Sequence, residues 1–305
     1  MSNLRDLSRR IDSITSTKQI TRTMEMISTA RVGEALARAS EAAPYKDAIT
    51  RMLSNVASSD PRSADQPLLQ NHGKTDGVLF ILIASDRGLA GGFNITLQRD
   101  VEHEMKLLTE QGKHAEVITC GSKPTEYFAY RGITPALSFK GISAEPTHDE
   151  AVRIASYAID GYTSGTFDRV LLFYNHARNR VQQDLVIEQL LPIKATDMAV
   201  PAAPRTKESL EEVPAREYTE YAFDPSPSKV LGYLMPAYIQ TVIYHALLDS
   251  VAAEHGARRR AMKAATDSAN EAITTLNRTY NRIRQGSITT ELNEIVSGAA
   301  ALEDN

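Results

Sequence analysis

The stretch AMKAATDSANEAITTLNRTYNRI, residues 261–283, decides how this chain folds. Met262, Ala265, Ala269, Ala272, Leu276, Tyr280 and Ile283 recur at three- and four-residue intervals. That is the narrow seam of a helix laid against one other helix, not the broad apolar face of a globular helix. Ile288, Leu292 and Ile295 resume the spacing after a slip. No proline interrupts the run from Pro236 to Ser297, and at ~1.5 Å per residue the helix spans roughly 93 Å. Ser226–Leu234 reads as a first turn or two, and Pro236 suits either a kink or the first position of a fresh helix.

The opposite end reads the same way. Residues 2–58 carry only Gly33 and Pro44 as breakers. Leu4, Leu7, Ile11 and Ile14 keep the spacing, and Ile20, Met24 and Ile27 resume it after a slip. Two long helices at the two ends of a chain most simply pair antiparallel, and a seven-residue period gives the pair a left-handed supercoil.

Between them the texture changes. After a polar linker, Val78–Ala84, Ala115–Cys120, Ile133–Phe139 and Val170–Tyr174 read as strands, alternating with helical stretches at Leu97–Glu110, Pro124–Tyr130 and Asp149–Tyr162. This alternation predicts a mainly parallel sheet covered on both faces. Val181–Leu190 follows the fourth strand too closely for a crossover and is expected as an antiparallel edge strand. The fold expected is α+β: a long antiparallel left-handed coiled coil carrying a central Rossmann-like α/β domain of about five strands. Its parts are an N-terminal coiled-coil helix over 1–58, a linker over 59–75, the α/β domain over 76–191, a loop over 192–225 and a C-terminal coiled-coil helix over 226–305.

Composition narrows the function. The 305 residues carry a net charge of −4, which argues against general nucleic-acid binding. The longest apolar run, Val78–Ala84, is far short of a membrane span. The first residues, MSNLRDLSRRIDS, lack the apolar stretch of a secretory signal, so a cytoplasm-like compartment is expected. Cys120 is the single cysteine and the seven histidines are scattered, so neither a disulfide nor a metal site is expected. There is no catalytic triad, no paired catalytic carboxylates and no cofactor fingerprint. The segment SDRGLAGGFN, residues 85–94, follows a strand and opens a helix, but it lacks the Lys-Ser/Thr of a phosphate loop. Gly88, Gly91 and Gly92 are therefore read as a structural turn in preference to a nucleotide loop. Basic residues stud both long helices: Arg5, Arg9, Arg10, Lys18 and Arg22 on the first, and Arg258, Arg259, Arg260, Lys263, Arg278, Arg282 and Arg284 on the last. As isolated charges they read as solvated helix faces; on a helix embedded in a partner, the same charges meet acidic loops. The small, apolar end of the last helix suits insertion in a greasy collar.

Three segments carry a family resemblance: RIDSITSTKQITRTMEMI (10–27), SDRGLAGGFN (85–94), and AMKAATDSAN (261–270) with YNRIRQGSITTELNEIVSGAAAL (280–302). They resemble the gamma subunits of bacterial F-type ATP synthases. The resemblance implies a non-catalytic central rotor shaft that couples proton-driven rotation of a membrane c-ring to the catalytic beta subunits. It implies three alpha and three beta subunits, epsilon and the c-ring as partners, with delta in the same complex. It also implies no cofactor and a peripheral place on the cytoplasmic face of the bacterial plasma membrane, the membrane association being indirect. The family's catch contacts fall on Arg284, Gln285 and Thr289, with Arg258 at a basic position lower on the same helix. Met24 falls at a position near the beta lever, though a place on the helix seam explains it equally well. Tyr218, Tyr221 and Phe223 are candidates for docking the α/β domain on its neighbours.

This chain departs from the family pattern at Arg259 and Arg260, where apolar residues are common, and at Gly256 and Gly286, where alanine is expected. The chain carries no long cysteine-containing regulatory insert, so thiol control of the chloroplast type is not expected. Two other readings stay open: a free α/β enzyme or small-molecule binder with helical appendages, and a coiled-coil adaptor.

Overall fold

The computed structural model describes residues 2–59, 66–74, 76–194, 223–224 and 226–303. Part of the expected linker and most of the 192–225 loop, Tyr218 and Tyr221 included, lie outside the described residues. The chain divides into two compact units, Met1–Ala30 with Arg258–Asn305, and Arg31–Ala257. Two helices supply residues to both: α1 (Ser2–Ser59) and α5 (Pro227–Glu303).

The larger unit is built on a five-stranded mixed sheet. Its strands are β1 (Gly77–Ile83), β2 (His114–Cys120), β3 (Leu137–Phe139), β4 (Arg169–His176) and β5 (Asp184–Leu191), ordered β3-β2-β1-β4-β5. The first four run parallel, and β5 is antiparallel to β4. Every residue of β1 is buried, as a central strand covered on both faces requires. Alternate side chains serve different cores. Val78, Phe80 and Leu82 meet Leu97, Val101 and Met105 of α2 (Phe93–Glu110) and Phe128 of α3 (Ser122–Tyr130). Leu79, Ile81 and Ile83 meet Ile154, Ala155 and Tyr162 of α4 (His148–Thr163), together with Ile49 and Leu53 of α1 and Ile239 and Ile243 of α5.

The third strand is shorter than the sequence suggests, because the end of α3 takes the residues before it. Gly132 adopts φ 73° and its N–H reaches the Ala129 carbonyl, while the Ile133 N–H reaches that of Phe128. This is the Schellman closure, with Ile133 packed in the same core as Phe128. Pro236 starts no new helix. It lies inside α5, which accepts the loss of one backbone hydrogen bond there. The described part of the linker is stitched to the sheet: the Ile193 N–H reaches the Leu68 carbonyl at 3.0 Å, and His72 stacks on Tyr162 and bonds Asp168 at 3.1 Å. Phe223 packs against the core behind β1, which gives it a structural task.

In the smaller unit the seam differs from its apolar reading. The inward positions of α1 run without a slip through Leu7, Ile11, Ile14, Lys18, Thr21, Glu25 and Ser28, all buried or half-buried. Those of α5 run through Met262, Thr266, Ala269, Ile273, Leu276, Tyr280 and Ile283. Thr21 and Thr266 join their hydroxyls at 2.8 Å. Ile20 and Ile27, expected on the seam, are instead 61% and 53% exposed.

Two glycines should respond oppositely to alanine. Gly286 is exposed with open space where a Cβ would stand, so Gly286→Ala should stabilise the helix by about 1 kcal/mol at most. A Cβ on Gly161 of α4 would stand 2.4 Å from the buried Phe167 ring, so Gly161→Ala should cost about 1–3 kcal/mol. Chemical denaturation of the two variants against the native chain checks both signs.

Candidate functional site

The glycine-containing turn closes around one carboxylate. Asp86 Oδ1 accepts the N–H and the hydroxyl of Ser122, each at 2.8 Å, and the Gly141 N–H at 2.7 Å. Its Oδ2 accepts the Ser143 N–H at 2.9 Å. The loops after β1, β2 and β3 are thereby tied at one point. Burial alone would raise the Asp86 pKa, but the N–H groups of Gly141 and Ser143 and the hydroxyls of Ser122 and Ser143 outweigh it and hold it below the ordinary 3.8. Beneath the turn, Gly121 takes φ 112°, and a Cβ there would stand 2.8 Å from the carbonyl oxygens of Ala84 and Ser85. Within the turn Gly91 adopts φ 61° and so does the non-glycine Leu89 at 63°. Gly88 and Gly92 do not take left-handed backbone.

This turn lies where the sheet's connections diverge, β1 being flanked by β2 on one side and β4 on the other. Open α/β sheets bind ligands in the crevice at such a point. Here the place is packed by the chain itself. Ala90, Phe93 and Ala177 meet Ala252, Ala253 and Ala257 of α5 and Ala35 of α1. The buried Asp249 of α5 accepts the Ala177 N–H at 3.0 Å and pairs with His176. Cys120 is fully buried and its thiol is pushed far up by burial, with Glu150 and Asp86 adding to the rise, so it is no nucleophile. Among the described residues no group of His, Cys, Asp and Glu could hold a metal ion. Among the described residues no helix is long and apolar enough to cross a membrane.

The other candidates lie in the smaller unit. Arg284, Gln285 and Thr289 are exposed on α5, and the Thr289 hydroxyl donates to the Gln285 carbonyl at 2.9 Å. Ile288, Leu292, Ile295 and Val296 are also exposed, Ile295 to 68%. At about 100° per residue, these four fall in one arc roughly opposite the seam that ends at Ile283. Arg284 borders the arc on one side and Thr289 on the other, with Gln285 inside it. Met24 is half-buried, and on the same flank of α1 stand the exposed Ile20 and Ile27. Arg258 is buried. The structure therefore sets Arg284, Gln285 and Thr289 together on one helical face and leaves Arg258 and Met24 apart from them. Sequence reasoning missed Asp86, Gly121 and Asp249, and it placed Ile20, Ile27, Ile288, Leu292 and Ile295 on the seam, where the structure exposes them. For Asp86 the available signal was its position directly after an all-apolar strand.

A protein-family profile described as ATP synthase matches residues 3–302. The chain is 38% identical to the ATP synthase gamma chain of Chlorobaculum tepidum, over 99% of this chain and all of that one. It is 39% identical to the gamma chain of Pelotomaculum thermopropionicum over the same shares. The chain belongs to the ATP synthase gamma-chain family. Its fold is shared by a chain of the Euglena gracilis mitochondrial ATP synthase in rotational state 3, with TM-score 0.65 and 16% identity, covering 99% of this chain and 95% of that one. A chain of the Tetrahymena thermophila central stalk and c-ring matches with TM-score 0.57 and 21% identity, over 81% and 99% of the two chains.

Asp86→Ala should lower stability at neutral pH by about 2 kcal/mol, the loss of hydrogen bonds to a charged group discounted for partial exposure. Because the folded pKa is depressed, the carboxylate's contribution is present above about pH 4 and lost as the pH falls through the folded-state value. Melting curves at pH 7 and at pH 3 should show a wide gap between native and variant at the first and a narrow one at the second.

Proposed function

We propose that this chain is the central rotor shaft of a bacterial ATP synthase, coupling proton-driven rotation of a c-ring to conformational cycling of three catalytic beta subunits. Its family membership supports the reading. The observation that carries it is the exposed apolar arc of Ile288, Leu292, Ile295 and Val296, bordered by Arg284 and Thr289. So large an apolar face on a helix end is covered in the working state. A ring of alpha and beta subunits would cover it, while epsilon and the c-ring take the α/β unit and delta joins the same complex. The paired helices form a left-handed antiparallel coiled coil in this reading, and the α/β unit is Rossmann-like. The divisions at 58, 75, 191 and 225 separate shaft, linker, α/β domain and loop. Gly88, Gly91 and Gly92 serve the fold of the turn. The subunit works on the cytoplasmic face of the plasma membrane without entering it.

The subunit has no chemistry of its own, since the crevice that would hold a ligand is filled by Ala252, Ala253 and Ala257. It acts by position. Each angle of an asymmetric shaft favours a different conformation at each beta site, and the difference in contact free energy sets nucleotide affinity. Arg284 presents a planar fork to an acidic loop, and Gln285 and Thr289 add neutral hydrogen bonds. Met24 falls near the beta lever in this reading, and Arg258, lower on the same helix as the catch, is buried within the chain and would need to turn outward to meet a partner. Such contacts must form at one angle and break at the next, so each is worth a few kcal/mol at most.

Arg284→Ala combined with Gln285→Ala should leave the complex assembled and slow both ATP hydrolysis and proton-driven synthesis. Assays on membranes carrying the variant, with subunit content checked by gel, read this. Wild-type rates would return both residues to ordinary surface. Purification through a tag on this chain should recover two larger partners, each in about threefold excess; a monodisperse monomer with turnover of its own would end the rotor reading.

A further inference from the structure

Between α2 and α3 runs an open groove of about 350 Å³. Ile95 and Gln98 of α2 line it, with Lys123, Tyr127 and Tyr130 of α3 and Arg131 just beyond. Asn94 and Glu102 stand one turn before and one turn after Gln98 on the same flank of α2. Both are engaged: Asn94 Oδ1 accepts the Ser85 N–H at 3.0 Å, and Glu102 Oε2 accepts the Tyr127 hydroxyl at 2.6 Å. Gln98 differs. The residue is only 4% exposed, yet its amide has no hydrogen-bond partner among the described residues. Neither polar atom of that amide is sealed from solvent, and the groove is where the side chain opens.

An unpartnered amide on a nearly buried residue sets the chemistry of an occupant. The group donates through nitrogen and accepts through oxygen, so its complement carries an acceptor and a donor side by side. The charges of the groove exclude an ionic guest. Lys123 Nζ is held by Glu126 Oε2 at 2.7 Å, and Arg131 pairs with Glu102. The Arg131 guanidinium also lies 3.7 Å over the Tyr127 ring and occupies that face. Tyr130 remains, 89% exposed, with Ile95 37% exposed opposite it on α2. A bare ring beside a half-exposed apolar side chain favours a flat, uncharged guest. A nucleobase joins both properties: it stacks on aromatic side chains, and adenine meets a glutamine amide through two hydrogen bonds at once.

We propose that the groove between α2 and α3 binds an uncharged adenine-type base, free or carried by a nucleoside, with its donor–acceptor edge on the Gln98 amide and its face on Tyr130. The groove is separate from the crevice that Ala252, Ala253 and Ala257 fill. Its failure as a binding site would leave the rotor reading intact.

The probes are 9-methyladenine, 9-methylpurine, adenosine and adenosine monophosphate, titrated into the full chain at pH 7.5. Calorimetry and the side-chain amide resonances of Gln98 give the readout. 9-Methyladenine should bind saturably, shift those resonances, and bind about fivefold more tightly than 9-methylpurine, which keeps the rings and acceptors but lacks the donor. Gln98→Leu keeps the volume and removes both hydrogen bonds, so it should fold and weaken binding about thirtyfold. Tyr130→Ala, at an exposed position, should weaken binding at least about fivefold through lost stacking. Adenosine separates the two sources: affinity equal to that of 9-methyladenine assigns the groove to a nucleoside, and loss of binding assigns it to the free base. Absence of saturable 9-methyladenine binding overturns the proposal. So does binding unchanged in folded Gln98→Leu, undisturbed Gln98 resonances on saturation, or a monophosphate that binds at least about tenfold more tightly than adenosine.

Discussion

All seven residues of β1 are withdrawn from water, and the rest of the molecule is arranged to keep them there. A strand buried on both faces cannot sit at a sheet edge and needs an apolar layer above and below. Helices α2 and α3 supply one layer. On the other face α4 is joined by Ile49, Leu53 and Val56 from α1 and by the run from Leu231 to Leu247 of α5. Residues near the two ends of the sequence thus share a core with its centre. The sheet grips both long helices through the same side chains that hydrate worst, so neither helix can detach without exposing β1.

What the sequence made legible follows from this. The apolar run at 78–84 announced a covered strand, the short spacing after β4 announced the antiparallel β5, and the three-four period announced the long helices. The seam was misread because periodicity alone counts apolar residues as inward. Thr21 and Thr266 lie inside at little cost, since one hydroxyl donates to the other and that one to a carbonyl of its own helix, Lys18 at 3.0 Å or Met262 at 2.9 Å. Ile20 and Ile27 could then face outward. Asp86 was illegible for a different reason: its donors sit at 122, 141 and 143, and only the sheet order brings three separate loops to one carboxylate.

The candidate face on α5 was legible in its residue types and not in its geometry. Arg284, Gln285 and Thr289 came from family resemblance; that the apolar arc they border faces outward follows only from knowing that the seam continues to Ile283 without a slip. A seam displaced by one residue would turn the whole face, Arg284 and Ile288 together, by about 100° relative to the partner helix and bring part of it inward. The burial pattern of the helix, not its composition, fixes which residues can meet a neighbour together.

The loops at the carboxyl ends of the strands are where α/β sheets ordinarily place their chemistry. In this chain those loops hold a helix instead. Alanines at 90, 177, 252, 253 and 257 let α5 lie close over the turn, and Asp249 fastens it by the Ala177 N–H and His176. A ligand entering that crevice would have to displace tightly packed methyl groups, with their full loss of dispersion contacts, and leave a buried carboxylate unpaired, which costs more than most small ligands return. A mechanical role suits such a site better than a chemical one: the contacts that exclude a substrate are the contacts that keep the root of the helix from yielding.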